Sequence, residues 1–263
     1  MNTKVVMTKL FAFVLISAFF TSLAPAGEVL EDVVEKTFPL DPNGVVSLRA
    51  IDGIVEIFGT DSREVTISAT KKAFSPERLN AITIRVHAEE NAVDIETTPP
   101  PEPQRHFVYR SGTVEYTINV PQTARIARVE LPHGELVIDG MRGASISADL
   151  GSGQLVTHNC FCDQTLHVKE GGLNVLFDWS EKRTIAVDGT IEDGNALARI
   201  PGDATFQLHA VAPHGRVWSD FTPIEHRKRG DVSEVNEVFG ANPATKLNLR
   251  AEDGNIHISE VIW

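Results

Sequence analysis

Cysteine is nearly absent from this chain: Cys160 and Cys162 are the only two among 263 residues. So few cannot build a disulfide scaffold, and the fold must rest on buried apolar surface. In an extended strand the Cα atoms of this pair would lie about 6.5 to 7 Å apart, at or beyond the reach of a bridge, which would need a bend there. Basic residues are scarce as well. The 24 Lys and Arg face 36 Asp and Glu, a formal charge of −12, and such a surface repels phosphate backbones and anionic lipid. Nucleic acid is not an expected partner. The single basic cluster, His226 to Arg229, is followed by Asp231, Glu234 and Glu237 and reads as a neutralised loop. Past residue 20 no run is apolar enough to span a bilayer. A G-x-S-x-G elbow and a glycine-rich phosphate loop are also missing; Gly151-Ser152-Gly153 is the nearest approach and reads as a turn.

What is present begins with an export signal. Lys4 and Lys9 precede an apolar stretch from Leu10 to Phe20, and Ala24-Pro25-Ala26 supplies a small-residue cleavage site. Residues 1–26 are therefore expected to be a signal peptide, and residues 27–263 one exported domain with no stable transmembrane segment after cleavage. Without Lys4 and Lys9, 22 basic residues face 36 acidic ones, a formal charge of −14.

The dominant pattern is a repeat. Gly53, Gly134, Gly153, Gly171, Gly194, Gly215 and Gly254 each have apolar residues seven, five and three positions before and two and four after. Of these 35 positions, 31 are Ala, Val, Leu or Ile; Thr157, Gln164, Gly189 and Ser219 are the others. Alternation on both sides of a glycine predicts two short strands joined by a tight turn, and Asp52, His133, Ser152, Glu170, Asp193, His214 and Asp253 before the glycines fit turn chemistry. From Gly134 to Gly215 the glycines recur every 18 to 23 residues. Units of that length that stack in register share one core, so the expected fold is all-β: a β-solenoid or β-roll of about 20-residue coils. Residues 61–120 depart from the repeat, and Val65–Thr70, Ile82–Ala88, Ala92–Thr97 and Thr113–Val120 predict antiparallel hairpins at one end of the stack, with a Pro-rich break from Pro99 to Pro103. Residues 222–245 read as a long polar loop, with one helical turn around Val232 to Phe239.

Asn43 to Ile57, Glu64 to Lys72, Tyr116-Thr117-Ile118-Asn119-Val120-Pro121 and Lys246 to Ile258 together resemble the bacterial putative adhesin family, exported domains of unknown function. The resemblance spans nearly all of residues 27–263. It implies a β-solenoid-like domain associated with the bacterial envelope, periplasmic or extracellular, and carries over no catalytic residue.

Three sets of residues are candidates for chemistry. His158, Cys160 and Cys162 share strand parity and, with His167, offer soft ligands for copper or zinc; free cysteines are also ordinary small core residues. Glu170 and Asp193 hold equivalent positions on successive coils, about 5 Å apart if the coils stack, a separation used by retaining glycosidases. Trp179, Trp218 and Trp263 are candidate platforms for a sugar or a protein partner, or packing residues; Trp218, at an odd offset, is expected to face outward. The preferred reading assigns no catalytic, cofactor-binding or metal-binding residue and no cofactor. It is a non-enzymatic, adhesin-like or structural module binding an envelope protein or glycan. A polysaccharide-active enzyme using the paired acids, and a self-associating structural element, are the alternatives.

Overall fold

A computed structural model describes residues 28–101, 112–221, 227–229 and 232–261. The expected signal peptide, Trp263, and parts of the Pro-rich break and the basic cluster lie outside them. The described chain is all-β apart from one short helix, and its strands form a large mixed sheet that is not closed.

The glycine repeat is realised by four long strands: β8 (Arg125–Asp139), β9 (Ser145–His158), β10 (Asp163–Leu176) and β11 (Ile185–Pro201), numbered after seven N-terminal strands. They pair side by side in parallel with Gly134, Gly153, Gly171 and Gly194 aligned. The predicted tight turns are not formed there. Each strand runs on through its glycine, which bends it with φ between 125° and 138°, so that its first half belongs to one face and its second half to another. The reason is steric. A Cβ on Gly134, Gly153, Gly171 or Gly194 would sit 1.7 to 2.0 Å from the carbonyl oxygen of the preceding glycine in the column. A left-handed backbone in such close approach leaves glycine as the residue that fits.

The remaining repeats join the same two faces as strand pairs. β2 (Val45–Arg49) and β3 (Gly53–Thr60) lie parallel to the two halves of β8. On their far side come β6 (Ala92–Thr98), parallel to β2, and β7 (Thr113–Pro121), parallel to β3. The expected hairpins therefore extend the stack: β5 (Thr83–Glu89) pairs antiparallel with β6, while β4 (Glu64–Ala73) pairs antiparallel with β7 and with β1 (Leu30–Pro39). Between β4 and β5, Pro76 starts the helix α1 (Pro76–Ala81), and the Ser75 hydroxyl caps it by accepting the Arg78 backbone N–H.

At the other end the spatial order departs from chain order. β16 (Thr245–Asp253) and β17 (Ile256–Val261), built from the last repeat, pair directly with the two halves of β11. The preceding repeat, β12 (Phe206–Ala212) and β13 (Val217–Ser219), lies beyond them. Residues 232–239 form a strand rather than a helical turn: β15 (Val232–Phe239) runs antiparallel to β12, and β14 (Arg227–Arg229) to β15. Alternation decides this, since Ser233 and Val235 are buried and Glu234 is not.

Of the 35 repeat positions, 33 are buried, so the offsets define the core. Ala127 fails because a bulge in β8 between Ile126 and Val129 places Ile126 inward in its stead. Ser219, in the three-residue outer strand β13, is half-buried.

Candidate functional site

The register sorts the outward side chains into straight columns at about the 4.8 Å strand spacing. On the face made by the first strand halves, one column runs Ser147, Thr165, Asp188, Asn248 and His209; the next runs Glu130, Asp149, His167, Thr190 and Arg250. Hydrogen bonds tie neighbours together: Asn248 Nδ2 donates to Asp188 at 2.7 Å, and His167 lies 3.0 Å from Asp149 and 3.2 Å from Glu192. Arg49 extends the network, 2.9 Å from Glu96 and 3.3 Å from Glu130. The second face is more mixed, with Val137, Val156, Asn174, Leu197, His257 and Trp218 in line.

The residues before the glycines form a rim in the order Asp52, His133, Ser152, Glu170, Asp193, Asp253 and His214. Glu170 and Asp193 are register partners, as the repeat predicts. Both are exposed on this convex rim. Neither lines a cavity found among the described residues. His133 pairs with Asp52 at 2.7 Å and His214 with Asp253 at 3.0 Å, closing the two ends of the rim. All seven described histidines lie within 3.3 Å of a carboxylate. Residue type alone carries no signal of this, because all the partners but Glu89, which lies two residues from His87 on β5, come from other parts of the chain.

The structure separates the thiol-and-imidazole set. Asn159, at φ 50°, ends β9 and breaks the parity on which a shared side depended. His158 stays outside, 3.1 Å from Asp139 and 2.7 Å from Asp178. Cys160 and Cys162 turn into the core as free, buried thiols, and the Cys160 thiol contacts the backbone oxygens of Ile138 and His158. Burial pushes both thiols up to about 12, so each is a neutral packing residue at ordinary pH. Among the described residues no group of three or more His, Cys, Asp or Glu is placed to hold a metal ion.

Opposite the glycine rim, the connections between strands close the core with plug residues. Met141 serves between β8 and β9, and Cys160, Phe161 and Cys162 between β9 and β10. Phe177 follows, its ring 5.3 Å from Phe161, with Trp179 5.7 Å from Phe161 and 46% exposed. The connection between β11 and β12 offers only Ala204. There a cavity of about 550 Å³ opens between Phe161, Phe177, Ile185, Ile200, Phe206 and Leu247, a size typical of small-molecule sites. Its lip carries Trp179, Ser180, Glu181, Lys182, Asp203 and Asn242. Glu181 is occupied, holding Arg142 at 2.8 Å and the Trp179 Nε1–H at 3.2 Å. Composition holds no sign of this cavity. It depends on which coils become neighbours. Trp218 faces outward as its offset requires, 40% exposed and stacked on His257 at 5.1 Å.

No family model and no curated protein matches the chain. Solved structures do. A putative cell adhesion protein from Clostridium sporogenes covers 88% of this chain and 100% of its own, at a TM-score of 0.52 and 14% identity. A putative adhesin from Bacteroides fragilis and a putative lipid binding protein from Parabacteroides distasonis each cover 88% of this chain and 97% of their own. Their TM-scores are both 0.32, at 10% and 9% identity. The match to the first shows a shared fold. The structures similar to this chain include several named as adhesins or cell adhesion proteins, in keeping with the resemblance carried by the sequence. Among the described residues no helix is long and apolar enough to cross a membrane.

Proposed function

We propose that this protein is a non-enzymatic, adhesin-like binding module of the bacterial envelope. In this reading residues 1–26 direct export and are removed, and residues 27–263 act as one domain, a two-faced β-solenoid of about 20-residue coils, in the periplasm or at the surface. The observation that carries the reading is the polar face of the first strand halves. Its side chains stand in columns fixed by backbone register and cross-linked by Asn248–Asp188 and His167–Asp149. A rigid, pre-ordered array of donors and acceptors loses little entropy on binding a polymer or a protein surface. An envelope glycan fits it best, because the columns offer hydrogen-bonding groups with few apolar anchors. The acids Glu170 and Asp193 are rim residues in this account, with no role in bond cleavage.

The test is co-sedimentation of residues 27–263 with purified peptidoglycan and with envelope polysaccharide. Saturable retention is expected, falling at least tenfold when Thr165, His167 and Asn248 are replaced together by Ala. Retention by neither polymer overturns the reading. So does release of reducing ends that E170Q/D193N abolishes, which would reinstate an enzyme.

A further inference from the structure

The cavity opposite the glycine rim lies apart from the polar face and is not used by the proposed function. Its floor is apolar, formed where Phe161, Phe177, Ile185, Ile200, Phe206 and Leu247, each 1 to 6% exposed, come to the surface of the core. It opens beside the connection 202–205, which contributes Ala204, where the two preceding connections contribute Phe177 and Phe161. The cavity holds about 550 Å³ and is partly open to solvent, a volume suited to one small ligand.

The lip carries two charges of opposite sign that point to an amphiphile. Lys182 is exposed and has no ion-pair or hydrogen-bond partner among the described residues. Asp203 accepts one 3.4 Å hydrogen bond from Ser180 and faces no cation among them. Glu181 is already neutralised by Arg142. An anion alone would meet Lys182 but also Asp203 and a strongly acidic surface; a cation alone would meet the reverse. We propose that the cavity binds a single aliphatic chain whose head group is zwitterionic, its anion at Lys182 and its cation at Asp203, with Trp179 lying along the first methylenes. This is the chemistry of a phosphate-and-amine head group.

The probes are octyl-, decyl- and dodecylphosphocholine, titrated below their micelle concentrations and followed by calorimetry. One molecule is expected to bind per chain, with affinity rising about fourfold for each added methylene as apolar surface is buried. Dodecanoate and dodecyltrimethylammonium are expected to bind at least tenfold more weakly than dodecylphosphocholine. Ala204→Phe fills the cavity and is expected to abolish binding without lowering Tm. Lys182→Glu, at an exposed position, is expected to shift preference from the zwitterion to the cation. Absence of binding, affinity independent of chain length, or undiminished binding by a folded Ala204→Phe variant overturns the site. Equal affinity for all three head groups overturns the assignment of Lys182 and Asp203. Loss of glycan retention by the polar-face variant leaves each of these readings unchanged.

Discussion

Gly254 lies directly on Gly194, although sixty residues separate them: a Cβ on Gly254 would stand 1.5 Å from the Gly194 carbonyl oxygen. In turn a Cβ on Gly215 would stand 1.7 Å from the Gly254 carbonyl oxygen. One column of glycines thus orders all seven repeats, with the last repeat inserted before the sixth.

Replacing a column glycine meets backbone, which cannot move without breaking the ladder. Gly134→Ala and Gly254→Ala are each expected to cost about 3 kcal/mol or more by urea denaturation. Gly189→Ala is the control. A Cβ there would meet only the flexible ends of Leu249 and Leu173, at 2.8 and 2.9 Å, and a loss of about 1 kcal/mol is expected. Equal losses at all three positions would show that the column is not the constraint.

Thr157 occupies an apolar inward column, and its buried hydroxyl has no hydrogen-bond partner among the described residues. Thr157→Val keeps the shape and removes that unsatisfied group, so a gain of about 1 kcal/mol is expected. A destabilised variant would mean that the hydroxyl is paired in solution.

Because burial raises the Cys160 and Cys162 thiols to about 12, neither is expected to react with iodoacetamide in the folded protein at pH 8. Alkylation should follow the rate of global opening as urea is added. Fast labelling of either residue without denaturant contradicts the burial described.

Part of the acid sensitivity should trace to Asp178 and Asp220, two depressed carboxylates hydrogen-bonded to histidines. Burial pushes Asp178 up, but hydrogen bonds from Asn159 and His158 and the charges of His158 and Arg199 outweigh it, so the group titrates below 3.8. For Asp220 the hydrogen bond from His257 lowers the value most, against a smaller effect of burial. A carboxylate depressed in the folded state contributes stability that is complete above the unfolded value and disappears as pH falls through the folded one. Urea midpoints are therefore expected to drop below about pH 4, and less steeply in D178N/D220N.

Much of the fold is legible in the residues. Glycines with fixed apolar offsets announce both the core and the parallel stack, and the in-register meeting of Glu170 with Asp193 follows from counting. Three features are not. Whether a glycine turns a chain or bends a continuous strand depends on the neighbouring backbone that excludes its Cβ, as at Gly134 against Gly53. The parity of His158, Cys160 and Cys162 fails at Asn159, whose left-handed backbone is a tertiary outcome. The cavity at Ala204 and the pairing of six of the seven described histidines with carboxylates depend on which strands are neighbours, and spacing along the chain does not encode that order.

The interleaving at the two ends of the stack bears on assembly. The first glycine repeat, β2 and β3, lies beneath β6 and β7, with β5, β4 and β1 beyond them, and the last, β16 and β17, lies beneath β12 and β13, with β15 and β14 beyond β12. Each covering pair comes from sequence further from the chain terminus than the repeat it covers. Such a sheet is completed only when residues about sixty apart, such as Ile185 and Thr245, find each other. That raises the contact order and slows folding, and it leaves both end repeats covered on each side.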